Sequence, residues 1–229
     1  VHGASNEAAK QAARALMEKV GLDPNLFGPR YPHELSGGQK QRINIARALV
    51  LEPRVVILDE AVSALDKSVE AQVLNLLRYL KDVFNLTYVF ISHDLNVVQY
   101  VSDRVLVMYL GEVVEIGPVD KIYANPKHPY TAALLASRLS MNPDDRVNEP
   151  PLIGDPPNPI NPPSGCRFRT RCEFAEKICE IETPALPQDV GPMGHACACH
   201  MFVAKSGHSK SIMHAAEDVT PSSPAESPS

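Results

Sequence analysis

Two short apolar runs, VVIL at 55–58 and LTYVFIS at 86–92, enclose the segment SVEAQVLNLLRYLKDVF. Its apolar residues Val69, Val73, Leu76, Leu77, Leu80 and Phe84 recur at helical spacing. Strand, helix and strand in that order belong to a layered α/β domain, and continuous apolar runs are the pattern of strands buried on both faces. Upstream, EAAKQAARALMEKVGL reads as a helix with Ala8, Ala12, Ala15, Leu16 and Val20 on one face and Gly21 at its end. Downstream, RVLVMYL and VVEIG flank Gly111 and Glu112, which predicts a hairpin with glycine at the first turn position. Pro118 and Pro129 mark the starts of two short helices.

Composition divides the chain into stretches 1–139, 140–165, 166–202 and 203–229. Eight prolines fall between Pro143 and Pro163, a density that excludes helix and sheet interior, so 140–165 reads as an extended linker. All five cysteines lie between 166 and 199, a local cluster and not the distributed framework of a disulfide-stapled domain. From Val203 to Ser229, Ser, Pro, Lys and Glu dominate with nothing to bury, which predicts a disordered tail. A net charge of −5 supplies no attraction for nucleic acid. No apolar run approaches the roughly 18 residues that cross a bilayer. The first twenty residues lack the apolar stretch of a secretory signal, and Val in place of Met at position 1 leads us to expect a fragment of a longer chain.

Three segments carry chemistry. In LSGGQ (35–39), two glycines let the backbone approach a ligand, and a helix follows. Ser36, Gly37 and Gly38 then stand at a helix N-terminus, where free N–H groups and the positive dipole end favour phosphate; a plain Ser-capped helix start is the alternative. VVILDE (55–60) ends a buried strand in two acids: Asp59 is placed to hold Mg²⁺ through water, and Glu60 to take a proton from an attacking water. ISHD delivers His93 to the end of the second strand, beside that acid pair, as a candidate contact for a phosphoryl group.

The order LSGGQ, VVILDE, SALD and ISHD resembles that of the ATP-binding cassette (ABC) ATPases over about residues 1–125. The resemblance implies the C-terminal part of an α/β nucleotide-binding domain of P-loop NTPase type, a layered sheet with a remnant of the helical subdomain. A small Cys-rich, proline-rich C-terminal extension would follow it. By that resemblance Ser36, Gly37, Gly38 and Gln39 contact the γ-phosphate of ATP held by the opposite subunit. Asp59 coordinates Mg²⁺, Glu60 polarises the hydrolytic water, and His93 is the switch histidine. Ser63, Ala64, Leu65 and Asp66 form the loop at the dimer seam. Ala61 departs from the family, many members having Pro there. No G-x-x-x-x-G-K-[ST] loop occurs in the sequence, and the upstream strand, adenine-stacking aromatic and glutamine loop are missing too. Tight ATP binding by this chain alone is therefore not expected.

GEVVEIGPVDKIYANPKHPYTAALLAS resembles the segment after the hairpin in ATPases of oligopeptide and dipeptide importers, with relatives that move nickel or glutathione. The implied function is the ATP-hydrolysing subunit of a peptide importer, at the cytoplasmic face of the plasma membrane. Its implied partners are a second ATPase subunit, like or unlike, two membrane-spanning permease subunits and an extracytoplasmic solute-binding protein, with no nucleic acid. Four thiolates drawn from these five cysteines could bind Zn²⁺ or a [4Fe–4S] cluster, or the cysteines could stay unligated or disulfide-linked. The pattern G-C-R-F-R-T-R-C…C…H-A-C-A-C-H resembles the extension of peptide-importer ATPases, some of which hold a [4Fe–4S] cluster. That resemblance implies Cys166, Cys172, Cys179 and Cys199 as ligands, with Cys197 extra. Arg167, Arg169 and Arg171 would offset the cluster's negative charge, and His195 and His200 read as surface residues or neighbours of the ligands, not as ligands. The alternative function is a truncated, non-catalytic chain acting as an iron–sulfur or zinc regulatory or docking module. An ABC ATPase acting on DNA or ribosomes would need coiled-coil insertions, tandem cassettes or basic arms, which this sequence lacks.

Overall fold

The computed structural model describes residues 5–137, 155, 157–187, 190–191 and 193–211. Much of the expected linker, and the expected tail beyond Ser211, lie outside them. The chain forms two compact units, Val1–Ser102 and Asp103–Ser229.

The first unit begins with α1 (Asn6–Lys19), capped by Ser5, whose hydroxyl accepts the Ala8 N–H. Its end is a left-handed Gly21, with Leu22 N–H bonded to the Met17 carbonyl and Gly21 N–H to that of Glu18. Only its last turn packs inward, through Leu16 and Met17, with Val20 and Leu22 just beyond it. Ala8, Ala12 and Ala15 are exposed, so the expected apolar face does not form along the helix. A methyl group offers too little area to anchor it. After α2 (Pro24–Phe27), α3 (Gly37–Leu49) buries Ile45, Ala46 and Leu49. Then come β1 (Val55–Asp59), α4 (Lys67–Phe84), β2 (Thr87–Ile91) and α5 (Leu95–Val101).

β1 and β2 pair in parallel, Val55 opposite Thr87 and Asp59 opposite Ile91, so both strands end at one edge. Val56 and Leu58 join Ile45, Val73, Leu77 and Leu80 in the core. Val55, Ile57, Val89 and Ile91 are exposed. Burial on both strand faces, expected from the continuous apolar runs, is thus corrected: the core of this unit covers one face.

In the second unit β3 (Arg104–Tyr109) and β4 (Glu112–Pro118) are antiparallel, and β5 (Ala196–Cys197) adds to β4 with Cys197 opposite Glu115. Tyr109 pairs with Glu112, so the turn residues are Leu110 and Gly111, both at positive φ (46° and 82°). This is a type I′ turn with glycine second, not first as expected. Pro118 caps α6 (Val119–Ala124) and Pro129 opens α7 (Pro129–Ala136), where the two prolines predicted helix starts. Tyr109, Val114 and Phe168 form a small core, with Phe168 edge-on to Tyr109 at 5.3 Å. α8 (Lys177–Ile181) follows the proline-rich stretch.

After Val203, where the composition offered little to bury, the described residues run to Ser211 and include a buried histidine. His208 is 3% exposed and its Nε2 bonds the Phe174 carbonyl at 2.8 Å. Among the described residues no helix is long and apolar enough to cross a membrane.

Candidate functional site

Ser36 is the N-cap of α3. Its hydroxyl accepts the Gln39 N–H at 3.3 Å, and the Gln39 side-chain oxygen accepts the Ser36 N–H at 3.0 Å, a closed capping box. Gly37 and Gly38 occupy the first turn. A Cβ on Gly37 would lie 3.5 Å from Leu65 Cδ2, and one on Gly38 only 2.5 Å from Val69 Cγ1. The start of α3 is therefore packed against the segment Ser63–Asp66 and the first turn of α4. Asp66 caps α4 by accepting the Val69 N–H at 2.9 Å.

At the shared strand edge, Asp59 ends β1 with an exposed side chain. Glu60 follows at φ 47°, its N–H bonded to the Ile91 carbonyl of β2. That left-handed turn brings Glu60 Oε1 to 2.9 Å from His93 Nδ1. The hydrogen bond to Glu60, and then the carboxylate's charge, hold the His93 pKa above its ordinary value. Ser63 Oγ donates to the Glu60 carbonyl at 3.0 Å, linking this pair to Ser63–Asp66. The sequence-predicted residues thus form two linked groups, the α3 start with Ser63–Asp66, and Glu60 with His93.

In the second unit, Cys166, Cys172, Cys179 and Cys199 line one cavity with His128, Phe168, His200 and His208. All five cysteines are free thiols. Gly165, at φ +65°, brings the chain so close to the Cys179 carbonyl that a Cβ would stand 2.3 Å from it. Burial pushes the Cys166 thiol up and that of Cys172 up to about 11. Cys197 is not among the residues lining the cavity; its hydrogen bond to Cys199 raises its own pKa and lowers that of Cys199. Among the described residues no group of three or more His, Cys, Asp or Glu side chains stands at metal-ion spacing. Arg167, expected to offset cluster charge, instead donates to the Leu110 carbonyl and pairs with Glu112 at 2.9 Å.

A family model described as ABC transporter matches residues 2–63, and one described as the C-terminal region of oligopeptide/dipeptide transporters matches residues 114–179. Over 197 residues the chain is 52% identical to the oligopeptide transport ATP-binding protein OppF of Escherichia coli (strain K12), covering 85% of this chain and 58% of that protein. This chain belongs to the ABC transporter ATP-binding proteins, in their oligopeptide/dipeptide branch. It is also 51% identical over 189 residues to AppF of Bacillus subtilis (strain 168), covering 82% of this chain and 56% of that protein. It spans less than two thirds of the length of these relatives. The crystal structure of the ADP conformation of MJ1267, an ATP-binding cassette of an ABC transporter, agrees in fold. The TM-score is 0.51 at 23% identity, over 59% of this chain and 52% of that one.

Sequence reasoning about this ABC chain missed three residues. Lys67, directly after Asp66, bridges Glu70 and Asp94. Glu115, buried in β4, accepts N–H groups of Lys127 and His128 and meets His195. An acid inside the apolar run VVEIG was the available signal. His128 caps α7 by accepting the Tyr130 N–H at 3.0 Å, and the Pro that follows it was the available signal for a helix start.

Proposed function

We propose that this ABC chain belongs to the ATP-hydrolysing subunit of a peptide importer. The observation that carries this reading is the 2.9 Å contact of Glu60 and His93 at the common edge of two parallel strands. Glu60 accepts a proton from the attacking water, and His93 lies against the γ-phosphoryl group. Asp59, an exposed carboxylate beside them, suits Mg²⁺, which when bound offsets charge on the phosphate oxygens. Ser36, Gly37, Gly38 and Gln39 serve ATP held by a second ATPase subunit, with Ser63–Asp66 at the seam. Peptide as the solute is supported by the names of the relatives, oligopeptide transport and peptide import proteins. On this reading the partners are two permease subunits and an extracytoplasmic solute-binding protein, and the place is the cytoplasmic face of the membrane.

The test supplies the phosphate loop that these residues do not contain. The chain is mixed with an intact ATP-binding subunit whose own signature serine has been replaced. ATP turnover is expected to rise, Ser36→Ala to abolish the rise, and Glu60→Gln in this chain to leave it. A rise that survives Ser36→Ala overturns the reading.

A second reading, a [4Fe–4S] cluster in the second unit, is favoured by the four cysteines that line one cavity. Zinc needs donors at about 2.0–2.3 Å from a single point, and the described residues offer no such group. A [4Fe–4S] cluster would be held by four Cys thiolates, the number that line this cavity. When bound it supplies one-electron chemistry or a structural tie, and binding displaces the thiol protons that burial retains. Iron and acid-labile sulfide in the anaerobically purified chain, both lost in Cys172→Ser, are the expected result. Zinc in their place, or neither, overturns it.

A further inference from the structure

Lys67 is the first residue of α4, directly after Ser63–Asp66. Its ammonium donates to both oxygens of Glu70, at 3.0 and 3.3 Å, and to Asp94 Oδ2 at 2.9 Å. An exposed ion pair is ordinarily weak, but here one exposed cation serves two more sheltered carboxylates, 12% and 28% exposed. Without it, Glu70 and Asp94 would face each other uncompensated, and like charges in a partly shielded setting push apart.

Asp94 follows His93 in the chain. Its other oxygen caps α5 through the N–H groups of Asn96 and Val97, and its own N–H donates to Ser92 Oγ at 3.1 Å. The residues on either side of His93 are thereby locked together. The His93 side chain is 78% exposed, so packing does not hold it. Its position depends on the backbone beneath it and on the Glu60 contact.

We propose that Lys67 is a positioning residue, fixing His93 against Glu60 by holding Asp94 to the first turn of α4. Its importance for turnover rests on the hydrolytic reading of Glu60 and His93. The geometry also joins Ser63–Asp66 to the strand edge by a second route, beside the bond from Ser63 to the Glu60 carbonyl. A displacement of Ser63–Asp66 is passed to His93 through this bridge.

The experiment follows the ionisation of the His93 imidazole by NMR in this chain, in wild type, Lys67→Met and Lys67→Arg. Lys67 is exposed, so neither substitution opens the core. Removing a nearby positive charge by itself raises a histidine's pKa; losing the Glu60 contact lowers it. The positioning role is expected to lower the His93 pKa toward its ordinary value in Lys67→Met, with Lys67→Arg restoring it. An upward shift, or none, overturns the role and leaves the hydrolytic reading standing. That reading fails separately: in this chain joined to a phosphate loop, Glu60→Gln is expected to slow ATP turnover about 10²–10⁴-fold, and an unchanged rate overturns it.

Discussion

Glu115 and His195, 80 residues apart, meet Oε1 to Nε2 at 2.6 Å, with side chains 0% and 7% exposed. The carboxylate also accepts the Lys127 N–H at 2.7 Å and the His128 N–H at 3.0 Å, so β4, the entry to α7 and the approach to β5 converge on one side chain. Glutamine has a single oxygen, and its NH₂ would face a donor at one end or the other. A buried group left so mispaired costs about 1–3 kcal/mol. Glu115→Gln is expected to lower the unfolding free energy by that amount, with a lower urea midpoint followed by circular dichroism. An unchanged midpoint would mean that this convergence adds nothing to stability.

The His128 pKa is pushed down to about 4, chiefly by burial, with the Glu115 charge opposing. The unfolded chain takes up this proton near pH 6.5, and the folded chain refuses it until about 4. Stability from this group is therefore complete above pH 6.5, falls as pH drops through that window, and levels off below it. The loss amounts to about 3 kcal/mol. Asparagine keeps an acceptor for the Tyr130 N–H but does not titrate. His128→Asn should thus be less stable at pH 7 yet flatter between pH 6.5 and 4.5, when urea midpoints are compared with wild type.

Gly37 and Gly38 look interchangeable in sequence and are not in structure. A methyl on Gly37 makes ordinary contact with Leu65, whereas one on Gly38 overlaps Val69, whose branched side chain is stiff. Gly38→Ala is expected to cost about 1–3 kcal/mol through overpacking. Gly37→Ala should stay within about 0.5 kcal/mol. If the start of α3 also serves ATP of a second subunit, Gly37→Ala will lose stimulation in the mixing assay at full thermal stability. Retained stimulation would show that no close approach of ATP requires glycine at 37.

What could be read from residues alone was local. Ser36 three residues before Gln39 announces a helix start, and the acids after VVIL mark a strand end, because capping and strand termination act within a few residues. Whatever depends on distant partners escaped. Apolar runs do not say that only one face of β1 and β2 is covered. The alanines of α1 do not say that they face solvent, and His208 does not announce the Phe174 carbonyl 34 residues away. Nothing near Lys67 in the sequence announces its second partner, Asp94, which lies 27 residues on. Spacing alone did not single out four of the five cysteines; the resemblance to peptide-importer ATPases did, and Cys166, Cys172, Cys179 and Cys199 line one cavity.

The hairpin turn supplies the last prediction. Leu110 stands at φ 46°, a left-handed conformation that costs a residue with a side chain roughly 1–2 kcal/mol. Arg167 offsets this strain, donating to the Leu110 carbonyl and pairing with Glu112 on the far side of the turn. Hydrogen bonds from a charged donor contribute about 1.5–3 kcal/mol. Arg167→Met should therefore cost about that much and speed hydrogen exchange at Tyr109 and Glu112, the last pair of the ladder. Were Arg167 held for the cysteines instead, the same substitution would leave those two amides as protected as before and change the reactivity of Cys166 toward alkylation.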